Sequence, residues 1–328
     1  MMNSRIATKE KPSEHAPRLP ATRRVKKSNL PPFRLTPRDR EVVKAVYTHR
    51  ALTTPQIEAL LFPPENGQDH RTKTSRVRYR LKMLFQHGYL FRDEQPTKLS
   101  EGRKPLVYFI DQQAVPLLAE DYAVFPEDIV WKPKDNNVRW IFLDHLLATN
   151  DVRIAIEVAA KQYGYALHRW LDDMTLKSVE MRDSVEIRGP SGAVLKATIV
   201  PDGYLFLTAD GYDYHYFLEV DMGTETAKSS KFGRRDFARK MLGYLAYYES
   251  GLYEEKYDPE GKYEGLPMQV LTVTTSEARL ATLKRVAEEA RAGEQFCFTT
   301  FGRISPDTVL TAPIWSVAGK DGLHSLIW

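Results

Sequence analysis

Apolar and polar positions follow two rhythms along this chain, and the change of rhythm divides it. The front keeps a period of 3.6 residues, the mark of helices with one buried face. Val42, Val43, Val46 and Tyr47 form one stripe, Ile57, Leu60, Leu61 and Phe62 a second, and Val77, Leu81 and Leu84 a third. The first two open on Thr36-Pro37-Arg38-Asp39 and Thr53-Thr54-Pro55-Gln56. In each, a threonine can cap the first turn and a proline sits where its missing N–H costs nothing. The second helix stops at Pro63-Pro64, and the third, over about 72–86, breaks at His87-Gly88. Two short apolar runs follow at 89–91 and 106–110, joined by a polar turn. Three helices and a hairpin in this order predict a winged helix-turn-helix over residues 35–120. A short helix at 114–119 closes it.

Behind a linker at 121–137, the rear alternates helices with strands. A long amphipathic helix is predicted over 138–163, divided near Thr149-Asn150 and ended by Gly164. A strand follows at 167–171, and residues 172–194 are weakly patterned apart from a turn at Gly189-Pro190-Ser191-Gly192. The apolar runs on either side of Asp210-Gly211 read as a β-hairpin. After it come a helix over 230–250, a mobile loop at 254–266, a strand at 269–275, a helix at 276–290 and a strand at 295–301. This order implies an α/β (α+β) domain over 138–328, a mixed sheet flanked by helices.

Charge separates the same two parts. The net charge of +4 over 328 residues conceals a front of 1–112 with 23 Lys+Arg against 11 Asp+Glu, which leaves 24 against 32 behind it. A basic module joined to an acidic one suggests a front that meets a polyanion. Residues 1–34, rich in proline and basic side chains, read as a disordered arm. The third helix places Lys73, Arg76 and Arg80 away from its apolar stripe, flanked by Arg78 and Lys82. The turn between the strands adds Lys98, Arg103 and Lys104. A helix with one apolar and one basic face suits the major groove of double-stranded DNA. The same face also suits a winged domain that binds protein. Cys297 stands alone among apolar neighbours, which excludes intrachain disulfides and any multi-cysteine zinc site. No apolar run approaches the roughly 20 residues of a membrane span, and the start lacks an apolar signal core, so a cytoplasmic protein is expected.

The hairpin carries the candidate chemistry. Asp202 opens one strand, and Glu219 and Asp221 close the other. Strand alternation sends those two to one face, about 7 Å apart. Carboxylates that converge repel one another, and a hard cation such as Mg²⁺ relieves the repulsion. Ordinary surface acids on a solvated hairpin would give the same letters.

The arrangement resembles the PD-(D/E)xK nuclease superfamily, and the whole chain over about 35–300 resembles the replication-relaxation family of plasmids and mobile elements. The likeness rests on Leu35-Thr36-Pro37-Arg38-Asp39, Arg78-Tyr79-Arg80-Leu81, Gly88-Tyr89-Leu90, Pro201-Asp202-Gly203, Leu218-Glu219-Val220-Asp221-Met222-Gly223-Thr224 and Arg239-Lys240 with Tyr244. It implies that Asp202 and Glu219 hold Mg²⁺ or Mn²⁺, with Glu157 on the first helix as an extra acid. The superfamily's lysine would stand at 221, where this chain has Asp221. Three outcomes follow: Lys240 supplies the cation, Asp221 adds a metal ligand, or the site no longer cuts. Lys240 also reads as a lysine reaching out from a buried helix. The resemblance therefore implies a DNA-binding protein of plasmid replication, relaxation or mobilisation, with other replication or mobilisation proteins as partners and a homodimer as one arrangement. Its runner-up is a non-catalytic accessory factor or regulator.

Overall fold

The computed structural model describes residues 24–25, 27–63, 70–97, 102–189, 192–230, 234–263 and 265–327, and their side chains except at 27 and 70–73. The front elements are α1 (Pro37–Thr48), β1 (Leu52–Thr53), α2 (Thr54–Leu61), α3 (His70–Gln86), β2 (Leu90–Asp93), β3 (Val107–Ile110) and α4 (Ala114–Tyr122). Both expected helix starts close as capping boxes, Thr36 exchanging hydrogen bonds with Asp39 and Thr53 with Gln56. Each box satisfies two of the N–H groups that a first turn leaves without partners.

The chain forms two compact units, residues 1–50 with 64–137, and residues 51–63 with 138–328. In the first, Val42, Val43 and Val46 of α1, Val77, Leu81 and Leu84 of α3, and the whole of β3 are buried. β2 pairs antiparallel with β3, Leu90 opposite Ile110. Residues 121–137, read as a linker, belong to this unit, and Asn136 Nδ2 donates to Ile110 O at 2.9 Å. The described end of the basic arm is ordered as well. Arg24 Nε donates to Phe85 O at 2.7 Å, and Phe33 stacks on His87.

The second unit takes α2, which the helical stripes alone group with the front. Buried polar side chains decide the matter: Gln56 Nε2 donates to Leu147 O (2.8 Å) and Asp151 Oδ1 (2.7 Å), and Asn150 Nδ2 to Ala51 O (2.8 Å). Left without partners, such groups would cost about 1–3 kcal/mol each. These acceptors lie on or beside α5 (Trp140–Tyr163), which runs unbroken through Thr149-Asn150. Thr149 Oγ1 donates back to His145 O at 2.9 Å, so both polar residues are satisfied without opening the helix.

From there the unit continues through β4 (Ala166–Asp172), α6 (Asp173–Leu176), β5 (Asp183–Arg188), β6 (Val194–Ile199), β7 (Gly203–Ala209), β8 (Tyr212–Asp221), α7 (Phe237–Glu249), α8 (Leu252–Tyr257), β9 (Gln269–Thr274), α9 (Glu277–Glu289), β10 (Phe296–Thr300) and β11 (Ser316–Val317). Six strands form one mixed sheet in the order β11-β10-β9-β8-β7-β4. β4, β7 and β8 are antiparallel neighbours, whereas β8, β9 and β10 run parallel. Asp210 and Gly211 make the β7–β8 turn at φ 52° and 85°, the left-handed pair of a two-residue hairpin. Phe217, Met241, Tyr244 and Leu283 belong to one buried apolar layer, and Ile156, Leu205, Leu218 and Trp315 to another. The chain is thus a mixed α/β protein with helices flanking a mixed sheet, as its order of elements implies.

Two segments depart from the sequence reading. The weakly patterned stretch contains β5 and β6, a separate two-stranded sheet lying on α7. Gly243 of α7 permits that approach: a Cβ there would stand 3.1 Å from Ile199 Cδ1 and 3.4 Å from Ala197 Cβ. The loop expected to be mobile holds α8, with Tyr253 and Leu266 fully buried. Tyr253 and Tyr257 pack edge-on against Phe217, an apolar anchor that the local run of Glu, Gly and Lys masks.

Candidate functional site

β8 delivers Phe217, Glu219 and Asp221 to the same face of the sheet, by strand alternation. Asp202 stands just before β7, where its N–H donates to Leu218 O (2.9 Å) and its Oδ2 accepts the Val220 N–H (2.8 Å). Every acid of the predicted set then meets a basic side chain of the chain itself. Lys240, from the first turn of α7, places Nζ 2.8 Å from Glu219 Oε2 and 3.5 Å from Glu225 Oε2. Tyr244, one turn further on, donates its hydroxyl to Glu219 Oε1 at 2.5 Å. Arg279 of α9 grips both oxygens of Asp221, at 2.8 and 2.9 Å, and Thr274 Oγ1 donates to the same carboxylate at 2.6 Å. His145 of α5 sets Nε2 3.1 Å from Val220 O and 3.3 Å from Asp202 Oδ2.

The proton affinities follow from this pairing. Burial pushes Glu219 above the ordinary carboxylate range, and the neighbouring Asp202 adds to the rise while Lys240 opposes it. Burial would also pull Lys240 down, but Glu219, Glu225 and Asp202 together hold its proton and raise it. Against burial, the Arg279 guanidinium and the Thr274 hydroxyl keep Asp221 low. His145 lowers Asp202 and is raised in turn by that carboxylate, again against the effect of burial.

The four predicted acids do not converge as one donor set for a divalent cation. Asp221, expected as a ligand or catalytic group, has both oxygens taken by Arg279. Glu157, expected as the extra acid, pairs instead with Arg153 at 2.7 Å along its own helix. It lies more than three turns from His145, the α5 residue that does meet Asp202. Asp202 and Glu219 remain, and each already faces a basic side chain, His145 and Lys240 respectively. Among the described residues no group of three or more His, Cys, Asp or Glu side chains is arranged to hold a metal ion. Of the predicted catalytic group, Asp202, Glu219 and Lys240 come together, and Asp221 belongs to a separate clamp.

Sequence reasoning missed His145, Glu225 and Arg279 as partners. Tyr244 was legible, four residues after Lys240 and therefore on the same helical face. Nothing local marks the other three, because their contacts cross from one element to another.

The predicted DNA-binding residues also separate. Arg76 and Arg78 are exposed on α3, and Tyr79 beside them is 57% exposed. Arg80 is not available in the same way: it forms a two-point pair with the buried Asp39, donates to Arg34 O at 3.1 Å and lies over the Phe33 ring. Its place one turn before the apolar Leu84 carries it toward α1 rather than to solvent. Arg103 is exposed and paired with Glu94 at 2.8 Å. Lys82 and Lys104 are half-buried and engaged with other groups of the protein. Lys98 lies outside the described residues, as does the Lys73 side chain. Cys297 is buried, and burial pushes its thiol up to about 12. Among the described residues no helix is long and apolar enough to cross a membrane.

No curated protein matches the chain. Two solved structures show a low likeness. One is restriction endonuclease FokI bound to DNA, at 14% identity and a TM-score of 0.26, covering 81% of this chain and 43% of that one. The other is restriction endonuclease FokI, also at 14% identity and 0.26, covering 81% and 42%. The chain thus spans less than half the length of either. The sequence pattern of the replication-relaxation family matches residues 43–259, over half of the chain. This chain belongs to the replication-relaxation family.

Proposed function

We propose that this protein binds double-stranded DNA in the replication, relaxation or mobilisation of plasmid-type or other mobile DNA. In this reading the first unit is the winged-helix reader and α3 is the element that enters the groove. The observation that carries it is the exposed Arg76, Arg78 and Tyr79 surface of α3, opposite the buried Val77, Leu81 and Leu84. Arginines on such a face serve phosphate oxygens and guanine edges alike, and an exposed aromatic ring adds contact area against sugar or base. The second unit then acts as a nuclease-like scaffold that holds DNA without a three-carboxylate metal centre. Its partners are DNA and other replication or mobilisation proteins, and its place is the cytoplasm.

A second reading, Mg²⁺- or Mn²⁺-dependent cleavage, is favoured by one observation. Asp202, Glu219 and Lys240 do converge, and the side chain of Lys240 is 35% exposed. A phosphodiester would meet a cation there, the feature that stabilises charge building on phosphate. Fluorescence anisotropy with a short duplex, run beside a supercoiled-plasmid assay with Mg²⁺ or Mn²⁺, separates the two. The leading reading expects salt-dependent binding and intact plasmid. Metal-dependent nicking that disappears in Glu219→Ala would establish cleavage instead. Failure of the full chain to bind duplex at low salt would sink the DNA reading itself.

A further inference from the structure

The second unit belongs to the acidic part of the chain, yet it contains a strongly basic cleft. A cavity of about 620 Å³ opens beside Glu219 and Lys240, between the β5–β6 sheet and α7. Six cations line it: Lys177, Arg182, Lys196, Arg235, Arg239 and Lys240. They come from both walls. Lys177 and Arg182 follow α6, Lys196 lies on β6, Arg235 precedes α7, and Arg239 and Lys240 stand in its first turn.

Ion pairs meet two of these cations, Lys240 with Glu219 and Glu225, and Lys177 with Asp173 at 2.6 Å, and leave the rest of the lining basic. Glu219 is held by Lys240 and Tyr244. Asp236 caps α7, its Oδ1 receiving the Arg239 N–H at 2.8 Å and its Oδ2 the Ser229 N–H at 2.6 Å. Glu225 faces Lys240. Arg182, Lys196 and Arg235 are exposed, and among the described residues none has a carboxylate within ion-pair distance. The wall is also built rather than incidental. Val185, Ile187, Ala197 and Ile199 are buried in the same apolar layer as Met241, Tyr244 and Tyr247. Arg239 Nη2 donates to Lys196 O at 2.7 Å and ties the two walls together.

We propose that this cleft binds the phosphodiester backbone of DNA, as a second contact surface separate from α3. Cations spread over both walls and the rim match a chain of phosphates, each neutralised in turn, better than a single anion. Contacts of this kind give affinity without sequence information and release counterions as they form. The inference rests on the DNA-binding reading and adds a location to it: the second unit grips the backbone while the first selects the site.

The test uses the full chain with all three exposed cations reversed, Arg182→Glu/Lys196→Glu/Arg235→Glu, and a neutral counterpart with glutamine at each position. Binding of a short duplex is followed by anisotropy across a salt series. The proposal expects affinity to fall at least tenfold at low salt in the reversed protein. It also expects the slope of log K against log salt to become shallower by about 2–3 in the neutral one, near 0.9 for each lost phosphate contact. The thermal midpoint of the neutral protein should match wild type, since these side chains are exposed. Unchanged affinity and slope in both proteins, with wild type binding normally, would overturn the cleft while leaving the α3 reading intact. Selective displacement of DNA by inorganic phosphate, relative to chloride at equal ionic strength, would overturn it in favour of a single-anion pocket. Absence of any binding by wild type would remove the DNA reading and the cleft together.

Discussion

Arg279→Ala isolates the claim that Asp221 is clamped rather than catalytic. In the wild type the Asp221 side chain is 5% exposed and that of Arg279 18%, and two hydrogen bonds join them at 2.8 and 2.9 Å. Arg279 Nη2 also donates to Glu225 O at 2.6 Å, which fixes the segment leading from β8 toward α7. Truncation leaves a buried carboxylate with only the Thr274 hydroxyl and the Gly223 N–H to receive. Removing one partner of a buried pair costs about 3–5 kcal/mol, and the two surviving donors place this case near 3. For a unit of roughly 200 residues each kcal/mol lowers Tm by about 2–4 °C, so the transition should fall by about 6–12 °C. Adding Asp221→Asn to the truncated protein should recover about 1 kcal/mol or more, because the stranded charge is gone. Far-UV circular dichroism melts, with and without Mn²⁺, give the readout. A fall below about 2 °C would refute the clamp, as would a Mn²⁺-dependent rise in wild-type Tm that Asp221→Asn abolishes.

Three further outcomes follow from the same structure. Arg80→Ala should destabilise the first unit by about 2–3 kcal/mol, since it strands the buried Asp39, whereas Arg76→Ala/Arg78→Ala should weaken duplex binding and leave the melt unchanged. A duplex affinity that drops in Arg80→Ala without loss of stability would return that residue to the DNA-contact set. His215 sets an acid limit: burial lowers it to about 4 from an ordinary 6.5, with Asp213, Asp258 and Lys262 as the charged groups acting on it. A hydrogen bond of 2.6 Å joins its Nδ1 to the Tyr204 hydroxyl, and its ring stacks on Phe206. Because the unfolded chain takes up this proton first, the contribution is complete above about 6.5 and is lost as pH falls toward 4, about 3 kcal/mol in all. Urea midpoints should therefore fall less steeply over that window in His215→Phe than in wild type, and parallel slopes would exclude His215 as the cause.

Much of the fold was legible because its signals are local. The caps at Thr36 and Thr53, the Asp210-Gly211 turn and the helix-to-strand alternation of the rear all depend on residues a few positions apart. The candidate site was legible only in part. Strand alternation put Glu219 and Asp221 on one face and helical spacing put Lys240 beside Tyr244, whereas only the resemblance to the nuclease superfamily linked Lys240 to Glu219. Asp221 misled, because an acid two residues after Glu219 looks like a second ligand until Arg279, 58 positions away, closes on it. Arg80 misled similarly: basic spacing on α3 does not reveal that Asp39, 41 positions earlier, already claims it.

By itself the sequence determined the order of elements, the basic front and acidic rear, and the strand on which Glu219 and Asp221 sit. These follow from backbone propensity and side-chain period, which act within a few residues. Only the tertiary structure decided that α2 joins α5, that each predicted metal acid faces a basic side chain, and that β5 and β6 make one wall of a basic cleft. Those outcomes depend on which buried charges and amides find partners across the fold. A buried charge is tolerated only where a distant residue meets it, and no local pattern records that distance.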